Sequence, residues 1–116
     1  MLRRPISYQL LIRISRPTTV TIGRLGRFRF PAGDYVYTGS AKRNLEARIH
    51  RHLSKTKRLR WHIDYLLADH DARIVGVRRS VPEECLLNRR TRGEVVVPGF
   101  GSSDCRAGCG GHLKKR

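Results

Sequence analysis

Acidic residues are scarce in this chain: 9 Asp and Glu stand against 25 Lys and Arg in 116 residues, a formal charge of +16. A polycation of this kind repels itself and attracts polyanions, of which nucleic acid is the commonest. Long apolar runs are also missing. Nothing approaches the roughly 20 residues needed to cross a bilayer, and no amphipathic anchor is visible, so a membrane partner is set aside. Met1-Leu2-Arg3-Arg4 is basic, but the segment from Tyr8 to Ile14 that follows is broken by Gln9 and Arg13. The expectation is a cytoplasmic protein without a signal peptide. Cysteine is sparse and odd in number (Cys85, Cys105 and Cys109), which argues against a disulfide framework. With 39% hydrophobic residues, the chain can bury one small core, and residues 1–116 read as a single domain.

Hydrophobic periodicity supplies the elements. Over residues 7–14, Tyr8, Leu10, Ile12 and Ile14 share one face, which predicts a strand. Residues 18–22 are β-branched throughout and suit a second strand. Phe28 and Phe30 mark a third, between Gly26 and Gly33, and Tyr35 to Thr38 a fourth that ends at Gly39, so an antiparallel meander is expected. The chain then turns helical. Asn44 can cap a helix to about Ser54, with Leu45, Ile49 and Leu53 as its inward stripe. A second helix is predicted from about Leu59 to Asp69, a strand from Ala72 to Val77, and a third helix from Pro82 to about Arg90. Ser80 and Glu83 have capping-box spacing at its start. Val95 to Val97 is a short strand candidate, and from Pro98 on the chain reads as irregular. The class is α+β, a small antiparallel sheet with flanking helices.

The stretch Tyr37-Thr38-Gly39-Ser40-Ala41, followed by Arg48 and His52, carries the most chemistry. A strand ending in glycine leaves backbone open to a ligand. Arg48 and His52, four apart, lie on one helix face, and an arginine fork matches phosphate. From spacing alone, a solvated basic helix that merely binds nucleic acid accounts for the same residues. In the tail, Cys105, Cys109 and His112 have ligand types and spacing that suit Zn²⁺, with Asp104, Cys85 or His62 available as a fourth ligand. Unliganded residues in a flexible glycine-rich tail are the plainer account. His62 and Asp64 flank the inward Ile63, and structural hydrogen bonding explains them as well as a site role does. Trp61 suits either stacking on a base or packing. Lys114-Lys115-Arg116 reads as a phosphate-contacting or disordered basic end.

Tyr-Thr-Gly-Ser-Ala, a helix and then Arg-x-x-x-His resembles the second half of the GIY-YIG nuclease motif. Ile6-Ser7-Tyr8 stands in the place of the first tripeptide. Trp61-His62-Ile63-Asp64-Tyr65 and the tail from Gly99 to Cys105 are similar to the small Uri-like subgroup, found alone or fused to a base-excision glycosylase. Tyr8 and Tyr37 lie 29 positions apart, so the resemblance implies an inserted hairpin between the two tripeptides.

The resemblance implies a metal-dependent endonuclease that hydrolyses phosphodiester bonds, with DNA favoured over RNA and DNA-repair enzymes as working partners. Tyr8, Tyr37, Arg48, His52 and a glutamate holding Mg²⁺ or Mn²⁺ would be its catalytic residues. The glutamate is Glu83 or Glu84. Glu83 has a structural role available, reaching back to the Ser80 amide, so Glu84 is preferred. Gly39, Ser40, Lys42, Arg43, Arg51, His62 and Asp64 are the expected substrate contacts. A tyrosine would help deprotonate the attacking water, which requires neighbouring cations to lower its pKa from near 10. Arg48 would meet charge on the phosphate, and His52 would orient a tyrosine or touch phosphate. A non-catalytic basic nucleic-acid-binding protein is the alternative from a different class.

Overall fold

The computed structural model describes residues 4–41, 43–54, 56–101 and 109–116. Strand β1 (Ser7–Ile14) turns Tyr8, Leu10, Ile12 and Ile14 to one face, each at most 2% exposed. Burying side chains of this size stabilises by roughly 1.5–3 kcal/mol each. A one-residue slip would turn all four to the other face. Strands β2 (Thr18–Ile22) and β3 (Gly26–Phe30) form the inserted hairpin, a two-stranded ribbon pairing Thr18 with Phe30 and Ile22 with Gly26. Its turn needs Gly23, whose φ of 48° is left-handed and costs a glycine little. Strand β4 (Gly33–Ser40) pairs antiparallel along all of β1, setting Leu10 opposite Tyr37 and Tyr8 opposite Gly39.

Helix α1 (Leu45–Leu53) starts at the expected cap: Asn44 adopts the left-handed conformation and its side chain accepts from the Ala47 amide at 3.1 Å. Helix α2 (His62–Leu67) is shorter than its apolar pattern predicts. Leu59 precedes it and is 47% exposed, and Leu53 on α1 is 50% exposed. The inward side of α1 is built on Ile49 and His52 instead. Strand β5 (Ala72–Ser80) runs three residues beyond the predicted Val77 and pairs antiparallel with the other edge of β1.

Helix α3 (Glu84–Arg90) corrects the predicted capping box. Ser80 is the last residue of β5, and Glu83 itself occupies the N-cap without a side-chain cap bond. Two further strands close the sheet. Strand β6 is confined to Glu94–Val95, while Val97 beyond it is buried in the core. Strand β7 (Leu113–Lys115) is an element the sequence reading did not contain. It inserts between β4 and β6, and the sheet order is β5-β1-β4-β7-β6, antiparallel throughout. The basic end is therefore neither free nor irregular. Lys114 Nζ donates to the carbonyls of Asn88 and Thr91 at 2.6 and 3.0 Å, satisfying the C-terminal end of α3.

Ile49, Ile63, Leu66, Ile22, Phe30 and Phe100 cover the Tyr8 face and form the core with it. On the opposite face Gln9 Nε2 donates to the hydroxyls of Thr38 and, at the end of α3, Thr91. The sheet thus holds α1 and α2 on one side and α3 on the other, with one end of β1 and β4 between them. Among the described residues, no helix is long and apolar enough to cross a membrane.

Candidate active site

At the Ser40 end of β4 the ring of Tyr8 lies across Gly39. A Cβ built on Gly39 would sit 2.4 Å from the Tyr8 hydroxyl oxygen, closer than non-bonded atoms tolerate, so the crossing requires glycine. The phenol then reaches His52 on α1, with Tyr8 Oη 2.6 Å from His52 Nε2. Three aromatic rings surround the imidazole: Tyr8 at 5.3 Å, Trp61 at 5.7 Å and Tyr37 edge-on at 6.1 Å between centroids.

This enclosure sets the protonation states. Burial, reinforced by Lys57, lowers the His52 pKa from 6.5 to about 4, so the ring is neutral at neutral pH. Burial also pushes Tyr8 and Tyr37 well above the ordinary tyrosine range, against the pull of Arg48. The expected lowering of a tyrosine pKa by the positive surroundings is therefore corrected. Desolvation outweighs the nearby cations, and both phenols keep their protons.

Arg48, one turn before His52, donates from Nη1 to the Ser40 carbonyl at 2.9 Å, and its guanidinium lies 4.8 Å from the Trp61 ring centre. From the other side of the sheet, Glu84 in the first turn of α3 accepts the Ser40 hydroxyl at 2.7 Å on Oε1 and pairs through Oε2 with His112 Nδ1. Burial raises the Glu84 pKa, but the His112 and Ser40 hydrogen bonds and the charge of Arg48 outweigh it, and the net shift is downward. Glu84 is thus an ionised, half-buried carboxylate, and Glu83 next to it is exposed. Ser40 joins the two halves, since its carbonyl holds Arg48 and its hydroxyl holds Glu84.

Other predicted contacts have different surroundings. Asp64 is fully buried and accepts both Arg51 guanidinium nitrogens at 3.0 Å and the Arg60 and Trp61 amides at 2.9 Å. It is the N-terminal fastening of α2, and Arg51, stacked 4.2 Å over Trp61, is its counter-ion. His62 Nδ1 accepts the Gly101 amide at 2.9 Å and so ties the Gly99–Gly101 segment to α2. Arg43 is exposed. Lys42 and Cys105 lie outside the described residues. Of the predicted zinc set, Cys109 and His112 come together, and Cys85 of α3 stands with them. The link between His112 and Glu84 was missed in the sequence. Nothing local signals it, because it depends on β7 entering the sheet.

The chain is an α+β domain in which two strands and two helices gather a histidine, tyrosines, an arginine and a carboxylate at one end of an antiparallel sheet. Residues 7–116 match the family model described as "Domain of unknown function DUF123", and the chain belongs to that family. No curated protein and no solved structure matches it.

Proposed function

We propose that this protein is a divalent-metal-dependent endonuclease that hydrolyses phosphodiester bonds in nucleic acid, with DNA the favoured substrate. The carrying observation is the junction at Ser40, whose carbonyl holds Arg48 and whose hydroxyl holds an ionised Glu84 brought from the opposite side of the sheet, within electrostatic reach of the Tyr8–His52 pair. A protein that only binds a polyanion gains nothing from a carboxylate there. The resemblance to GIY-YIG nucleases, in particular the Uri-like subgroup, rests on these same residues and supports the reading. Working partners among DNA-repair enzymes and a cytoplasmic location belong to it as well.

The donor set fits Mg²⁺ or Mn²⁺. Among the described residues each Glu84 oxygen has one hydrogen-bonding partner, which leaves lone pairs for a cation. Mg²⁺ is commonly held by one or two carboxylates while keeping several waters. Glu84 would hold the ion, which when bound polarises the phosphate and stabilises the leaving oxygen. The chain's own residues do the rest. Tyr8 accepts a proton from the attacking water while passing its own to Nε2 of His52, so no free tyrosinate is needed. His52 is neutral and can take that proton, and the negative charge of an arriving phosphodiester increases its basicity. Arg48 stabilises the charge that develops on the phosphoryl oxygens. Tyr37 packs edge-on against His52 and Phe100 and holds the imidazole in place.

A plasmid-nicking assay with Mg²⁺, with Mn²⁺ and with EDTA, run beside Glu84→Ala, tests the reading. Metal-dependent nicking that is lost in the folded variant is the expected result. Absence of nicking by the parent on duplex and single-stranded substrates, with binding intact, would leave the non-catalytic binder as the better account.

A further inference from the structure

Behind Glu84 lies a second group of ligand atoms that the proposed hydrolysis does not use. Cys85 follows Glu84 on α3, and Cys109 and His112 approach from the segment leading into β7. These three side chains can each bring one ligand atom within 4.8 Å of the others, and His112 Nε2 lies 4.0 Å from Cys85 Sγ. In a tetrahedral zinc site, bonds of about 2.3 Å to sulfur and about 2.0 Å to nitrogen put such atoms roughly 3.5–4 Å apart. A contraction of up to about 1 Å closes the set.

Two observations indicate a built site. The first is the histidine's other nitrogen. Nδ1 pairs with the Glu84 carboxylate while Nε2 faces Cys85, the carboxylate–histidine arrangement that orients metal-ligating imidazoles and fixes their tautomer. The second is the rigidity of the segment. The Gly99 amide donates to the Gly110 carbonyl at 2.6 Å, the His112 amide to Phe100 at 2.8 Å, the Thr38 amide to His112 at 2.9 Å, and the buried Asn88 side chain to Gly111 at 2.9 Å. The ligands are therefore held from β4 and α3 before any ion arrives.

We propose that Cys85, Cys109 and His112 bind one Zn²⁺, with Glu84 as the outer partner of His112. Two thiolates and an imidazole select a soft or borderline cation over Mg²⁺, so this site and the Glu84 cation take different metals. The ion locks His112 as a neutral imidazole donating from Nδ1 to Glu84, and thereby sets the position of that carboxylate. Cys85, one of the fourth ligands the sequence offered, joins Cys109 and His112 here; Cys105 lies outside the described residues.

Metal content and spectroscopy test this without reference to cleavage, so its outcome is independent of the nuclease reading. Protein purified without chelator should carry about one equivalent of zinc. Replacement by Co²⁺ should give a thiolate-to-cobalt charge-transfer band that zinc abolishes, and Cys85→Ser and Cys109→Ser should each lose it. Alkylation of the unaltered protein, which does not depend on how either variant folds, is read in parallel: zinc should protect both Cys85 and Cys109, and chelator should expose them. No bound zinc, no charge-transfer band and equal alkylation with and without zinc would overturn the site. So would a Cys85–Cys109 disulfide that zinc does not prevent, since the two thiols would then be a redox pair.

Discussion

The Tyr8 hydroxyl oxygen and His52 Nε2, separated by 44 positions in the chain, stand 2.6 Å apart inside the protein, both residues 2% exposed. In Tyr8→Phe the ring stays and the hydroxyl goes. A buried partner left unpaired costs about 1–3 kcal/mol, and its removal takes away the group proposed to receive the water's proton. Lower thermal stability and a rate of plasmid nicking reduced by about 10²–10⁴, the usual contribution of a positioned acid–base group, are expected, with DNA binding retained. A Tyr8→Phe protein that nicks at the parental rate removes the phenol from the mechanism.

His52 makes stability depend on pH in a defined window. Its folded pKa, about 4, lies below its ordinary 6.5. Between these values the unfolded chain binds a proton that the folded chain does not, so stability falls as the pH drops from 6.5 to 4. Over the whole window the loss is about 3 kcal/mol. His62, also lowered by burial, adds a contribution of the same sign. Glu84, lowered from 4.5, loses its contribution only as the pH falls through its lower folded value. Urea unfolding at several pH values between 6.5 and 4.5 should therefore show a slope that His52→Gln largely removes. An equal slope in both proteins would assign it elsewhere.

Much of this arrangement was legible in the sequence. Alternation on β1 places Tyr8 with Leu10 and Ile12, and the four-residue spacing places Arg48 above His52. Glu84 was preferred for a reason that does not hold. Ser80 is sheet, and Glu83 caps nothing with its side chain. The preference rested on a capping box that β5 destroys by continuing to Ser80. Leu53 reads as inward because it is apolar and in register with Leu45 and Ile49, yet α1 turns Ile49 and His52 inward, with His52 meeting Tyr8 on the sheet face that α1 covers. Strand β7 left no trace at all. Leu-Lys-Lys has neither length nor β-branched residues, and it forms because the exposed edge of β4 needs a partner.

Gly39 should tolerate no side chain. In Gly39→Ala the new methyl would lie 2.4 Å from the Tyr8 oxygen and 2.5 Å from its ring, so either the phenol leaves His52 or the strands part. Overpacking of this kind costs about 1–3 kcal/mol. A double-mutant cycle by thermal melting should find Gly39→Ala far less damaging when Tyr8 is already Leu, because the clash is gone. Additive losses would mean that the glycine is needed for something other than the crossing.

The charge of +16 predicts how binding and cleavage separate. Affinity for duplex DNA should fall steeply with salt, by about 0.9 log units per log unit of salt for each phosphate contact. Arg48→Ala removes at most one such contact while removing the charge proposed to meet the transition state. Its binding isotherms at two salt concentrations should nearly overlay the parent's, whereas its nicking rate should fall by roughly 10²–10³. Parallel loss of both would make Arg48 an ordinary phosphate contact.

Asp64 distinguishes a fastening from a substrate contact. Its carboxylate is 0% exposed and takes both Arg51 nitrogens and two backbone amides, so no oxygen is left facing solvent for a ligand. Asp64→Ala leaves the Arg51 guanidinium without its counter-ion beneath Trp61 and the start of α2 without its acceptor. Breaking one partner of a buried pair costs about 3–5 kcal/mol, and Arg51→Ala added to it should cost little more, since the pair is already broken. Melting temperature should therefore drop sharply. Nicking measured well below that temperature, on protein shown to be folded by circular dichroism, should stay within a few-fold of the parent's. A well-folded Asp64→Asn protein that binds DNA but no longer nicks it would instead put this carboxylate at the reacting phosphate.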